Sequence, residues 1–100
     1  MGQYKVKILT KAQEDMEEIA DYLNTLSPQA AFRHYDMLVE KINSLSDMPE
    51  RCPLVRDTQL RLRGYHYLVV ESYLVFFVII GDVVQIRRVL FGRRQYESLL

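Results

Sequence analysis

One cysteine, Cys52, stands among 100 residues. A lone thiol excludes an internal disulfide and any zinc site assembled from several thiolates. The stretch that carries it, PERCPLV, offers no base to activate it, so Cys52 reads as an incidental loop residue. Long apolar runs are missing too. The longest, Tyr73 to Ile80, is far shorter than a bilayer-crossing helix. The opening MGQYKVKIL lacks a charged segment leading into an apolar one, and Val6 occupies the position where a myristoylation motif wants Ser or Thr. A cytoplasmic protein without a membrane partner is expected. Glycine-rich phosphate loops, metal-ligand spacings and a Ser-His-Asp set are also absent, so neither a metal nor another cofactor is expected. No internal repeat or low-complexity segment divides the chain, and its length suits one domain over residues 1–100.

Net charge is missing as well, since 13 basic residues balance 13 acidic ones. The balance hides an asymmetry. Residues 1–50 carry five basic and nine acidic groups (−4), and residues 51–100 carry eight and four (+4). All but one of the arginines fall in the second half. A broadly cationic nucleic-acid surface is excluded, whereas one basic face is not.

The hydrophobic pattern sets the order of elements. YKVKIL alternates, with Tyr4, Val6 and Ile8 on one face, as a half-buried strand does. Thr10 and Gln13 in TKAQ fit a capping box that opens a helix. Ala12, Met16, Ile19, Ala20 and Leu23 form that helix's apolar stripe, and Glu14, Asp15, Glu17, Glu18 and Asp21 read as its solvated face. Ser27 and Pro28 start a second helix, whose stripe is Ala31, Tyr35, Leu38, Ile42 and Leu45. So short a link predicts an antiparallel helical hairpin. SDMPERCPLVRD, with two prolines, predicts a loop. Three strands follow: YHYLVVE, then YLVFFVII, apolar on both faces and therefore central, then VVQIRRVLF after a Gly81-Asp82 turn. The tail RRQYESLL reads as a short helix or arm. The expected fold is α+β, in the order β-α-α-β-β-β-(α). It has a twisted, antiparallel-rich sheet with the helical hairpin packed on one face.

Chemistry is sparse. His34 borders the second helix's stripe. His66 lies between Tyr65 and Tyr67 with Arg63 nearby, where a general base is conceivable. Arginines gather at the end: Arg87 and Arg88 on the last strand, Arg93 and Arg94 beyond Gly92. Alternation sends Arg87 and Arg88 to opposite faces, so at least one projects onto the sheet face the helices leave open. A surface of arginine and tyrosine there suits phosphate or carboxylate groups.

The chain as a whole resembles the RelE/ParE superfamily of toxins from bacterial type II toxin–antitoxin systems. The segments that carry the likeness are YKVKILTKAQEDMEEIADYL, SPQAAFRHYDMLVEKINSLSDMPERCP, LRGYHYLVVESYLVFFVI and RRVLFGRRQYESLL. The resemblance implies a plasmid-stabilisation toxin that arrests growth, with a cognate antitoxin as partner. Two targets are open. ParE-like members inhibit DNA gyrase, whereas RelE-like members are ribosome-dependent mRNA endonucleases. The nuclease signature places an arginine after the central-strand tyrosine; here Leu74 follows Tyr73. Phe91 and Gln95 stand where the family often has histidine and aspartate. The resemblance therefore favours a non-enzymatic, ParE-like toxin that meets gyrase through Arg87, Arg88, Arg93 and Arg94. The alternative is an mRNA interferase using His66, Arg63, Arg88, Arg94 and Tyr96. A non-toxic remnant that only binds antitoxin is the third expectation.

Overall fold

The computed structural model describes residues 3–92 and residue 100. Strand β1 (Lys5–Ile8) leads through Leu9 into helix α1 (Thr10–Leu26), and helix α2 (Pro28–Asn43) follows after Ser27. Two 3-10 turns (Ser44–Ser46 and Pro49–Arg51) and a short helix α3 (Thr58–Leu62) precede strands β2 (His66–Val70), β3 (Tyr73–Ile80) and β4 (Val83–Phe91). The expected α+β order holds through β4, with α3 added to it, and the expected terminal helix or arm of RRQYESLL falls on residues that, Leu100 apart, lie outside the described ones.

The helix starts have identifiable causes. The Ser27 side chain accepts a hydrogen bond from the Ala30 amide, and Pro28 fills the first turn, where no amide donor is needed. The expected Thr10 capping box does not form. Thr10 already lies inside α1, and the cap residue, Leu9, contributes no side-chain hydrogen bond. Leu9 donates its amide to the Ile86 carbonyl of β4, so the sheet itself tethers the helix start. Gln13 is thereby released to donate to the Tyr35 hydroxyl, joining α1 to α2. Helix α3 escaped the pattern because five residues carry no helical period. Its signal is the N-cap Asp57, whose carboxylate accepts from the Leu60 amide.

The sheet runs β1-β4-β3-β2, with β1 parallel to β4 and the other pairs antiparallel. The helical hairpin covers one face. Ala12, Met16, Leu38 and Ile42 pack there against Val75, Phe77, Val84, Ile86 and Val89. The opposite face was expected to be open and is not. Val55 and Leu60, from the segment before β2, pack with Tyr65 on Phe76, Val78 and Leu90, and Leu100 joins them. Strand β3 therefore sits between two apolar layers, which accounts for its lack of a polar face. Phe76 points into one layer and Phe77 into the other, each almost wholly buried.

Candidate functional site

The pairing of β3 with β4 breaks in one place. Phe76 lies opposite Arg88 and Phe77 opposite Ile86, which leaves Arg87 as an extra residue in a β-bulge. The bulge interrupts the alternation here, and the contacts of the two arginines show that they go to different sides as expected. Arg87 goes to the side away from the helical hairpin. Its guanidinium lies 6.0 Å from the centroid of the buried Tyr65 ring, and Nη2 donates to Gln85 Oε1 at 3.0 Å. Its Nε is buried without a hydrogen-bond partner among the described residues.

Arg88 turns the other way, towards α1. Its Nε and Nη2 donate to the two carboxylate oxygens of Asp15 at 2.7 and 2.9 Å, the paired geometry that suits a guanidinium and a carboxylate. The Val89 amide donates to the same carboxylate at 3.0 Å. The hydrogen bonding it donates to Asp15, with support from the Glu18 and Glu14 charges, raises the Arg88 guanidinium pKa above its ordinary value. Asp15 is therefore no part of a solvated face. It is only 6% exposed and ties the middle of α1 to the bulge of β4. Its position held the signal: three residues after Ala12 and four before Ile19, it falls on the edge of the apolar stripe.

The ion pair lies in a cleft of about 270 Å³ between α1 and the end of the β3–β4 hairpin. Glu18 and Tyr22 line it from α1, and Tyr73 and Phe91 from the strands. Tyr73 is buried, which pushes its hydroxyl pKa up. Its ring meets Phe91 edge-on, and its hydroxyl shares a 3.3 Å hydrogen bond with His34 Nδ1. Tyr22 and Phe91 are 66% and 58% exposed, so two large rings stand at the rim.

The other expected site residues occupy separate settings. His66 stacks on Phe77 at 5.3 Å and donates from Nδ1 to the Cys52 carbonyl at 2.8 Å, a carbonyl being only an acceptor. It thus belongs to the hairpin-covered side of the edge strand, while its neighbours Tyr65 and Tyr67 face the second core. Arg63 is the exposed C-cap of α3. Arg88 lies two strands from His66, and its donors are engaged by Asp15. Arg93, Arg94 and Tyr96 lie outside the described residues. Cys52 is buried, which raises its thiol pKa and keeps it protonated. Among the described residues no group of three or more His, Cys, Asp or Glu side chains is placed to hold a metal ion. None of their helices is long and apolar enough to cross a membrane.

A four-stranded sheet clasped by a helical hairpin matches the fold of a ParE-like toxin. A solved structure described as the chromosomal ParDE TA system from P. aeruginosa superposes on this chain with a TM-score of 0.77. That likeness covers 93% of this chain and 100% of the other at 22% identity, so it speaks for the fold. The chain itself belongs to the family described as the ParE toxin of type II toxin–antitoxin systems, parDE, matched over residues 6–96. No curated protein matches it.

Proposed function

We propose that this ParE-family toxin arrests growth by binding DNA gyrase through its C-terminal strand and the arginines at and beyond its end, and that a cognate antitoxin neutralises it. Arg93 and Arg94 supply the cationic grip in this reading. Arg87 and Arg88 shape the strand that presents them, since each is already engaged by a neighbouring side chain. Leu74 supports the reading most directly. It packs against the second core, so the central strand offers an apolar side chain where RNA cleavage by RelE-like relatives calls for a cation. A general base and a phosphate clamp have to meet within hydrogen-bond reach of the same group, and His66 and Arg88 are directed to different partners.

The decisive test sets a supercoiling assay beside primer extension. Purified toxin is expected to inhibit gyrase supercoiling, with inhibition relieved by antitoxin, and to leave translated mRNA uncut. Codon-linked cleavage during expression, with supercoiling untouched at high excess of toxin, would overturn the gyrase reading. Growth arrest on induction separates an active toxin from a remnant that only binds antitoxin.

A further inference from the structure

The cleft beside α1 differs in charge from the arginine-rich end of the chain. Its described lining holds two carboxylates, Asp15 and Glu18, against one guanidinium, Arg88. Asp15 occupies that guanidinium with two hydrogen bonds. An acidic side chain entering the cleft would find Arg88 already matched and would face Glu18 as a like charge. A basic one would meet Glu18 directly, and Glu14 acts on the same region, since its charge also bears on Arg88. Tyr22 and Phe91 give the rim exposed aromatic surface, on which the aliphatic stem of a lysine or arginine packs well. A second copy of this chain bringing its own α1 would add Glu14, Glu17, Glu18 and Asp21 to an already acidic wall, which disfavours that occupant.

We infer that the cleft receives a short segment of the cognate antitoxin that is apolar against Tyr22 and Phe91 and carries a lysine or arginine against Glu18. This rests on the antitoxin pairing proposed above and adds the sign of the charge. The antitoxin surface that enters the cleft is therefore cationic, so a uniformly acidic partner does not fit.

The probe is the purified product of the reading frame adjoining the toxin gene, titrated calorimetrically into the full-length toxin. Glu18→Lys is expected to weaken binding by about tenfold or more and Glu18→Gln by less, as for removal of a charge-matched contact. Tyr22→Ser is expected to weaken it by a similar factor through loss of an aromatic anchor. Lys41→Glu, exposed on α2 and outside the cleft, is expected to bind as the wild type does. Circular dichroism and the melting temperature check that each variant is folded, since both cleft positions are exposed. Unchanged or tighter binding by Glu18→Lys overturns the inference, even if Tyr22→Ser weakens the complex. A wild-type dimer that Tyr22→Ser dissolves would assign the cleft to a second copy and overturn it too. Absence of any complex with wild-type toxin sinks the antitoxin reading along with it, whereas a complex indifferent to all cleft substitutions sinks this inference alone.

Discussion

At the residue scale, Asp15 binds one side of the molecule to the other. Its carboxylate accepts two hydrogen bonds from Arg88 and one from the Val89 amide in a nearly dry setting. Replacing it with alanine leaves a guanidinium partly buried beside apolar neighbours. Asp15→Ala is expected to cost about 3–5 kcal/mol, read from the chemical-denaturation midpoint. The double variant Asp15→Ala with Arg88→Met should recover much of that loss, because the stranded charge leaves with its partner. Recovery of nothing would place the role of Asp15 elsewhere. Cys52 behaves differently, since its burial protects it. The folded thiol binds its proton more tightly than the unfolded one, as does the Tyr73 hydroxyl. Stability from both groups is fully present below their unfolded values and falls as pH rises above them. Cys52 should accordingly resist a thiol reagent at neutral pH until denaturant is added, and rapid labelling of the native protein would contradict this.

Elements owe their limits to single groups. Helix α3 is held at its start by the Asp57 carboxylate on the Leu60 amide, and Leu60 in turn fills the second core. Asp57→Ala should cost about 1 kcal/mol and speed hydrogen exchange at the amides of α3 before the rest of the chain. The β2–β3 turn carries Glu71 at φ 53°, a left-handed conformation that a glutamate adopts at a cost. Glu71→Asn is expected to raise stability by up to about 1 kcal/mol, since asparagine tolerates this region better. Much of this level was legible beforehand. The residues YLVFFVII and VVQIRRVLF became β3 and β4 with the limits their patterns gave, and Ser27 capped α2. Thr10 failed as a cap because the Ile86 carbonyl had already captured the entry to α1, a contact that spans most of the chain and leaves no local trace.

For the whole molecule, one sheet serves two cores. Phe76 fills the layer under α3, while Phe77, next to it, fills the layer under the helical hairpin. Phe76→Ala should therefore lower stability by about 3–5 kcal/mol in a single cooperative transition. Two resolved transitions in thermal denaturation would show the cores to be independent. The same sandwiching covers both faces of the sheet, so the cleft beside α1 and the exposed Phe91 at the end of β4 lie at its rim.

The sequence by itself determined the four strands, the two long helices, their order and the family, because amphipathic period, turn residues and a spread-out family pattern are local or additive signals. It also set the expectation that Arg87 and Arg88 part company, from the alternation of a regular strand. Only the tertiary structure decided what each arginine does. A one-residue bulge sends Arg87 to Tyr65 and Arg88 to Asp15, and a five-residue helix closes the face that alternation left open. Such outcomes depend on partners that are not neighbours in the chain, more than seventy positions apart in the case of Asp15 and Arg88. Their energy comes from burying charge and apolar surface together, which no window of neighbouring residues contains.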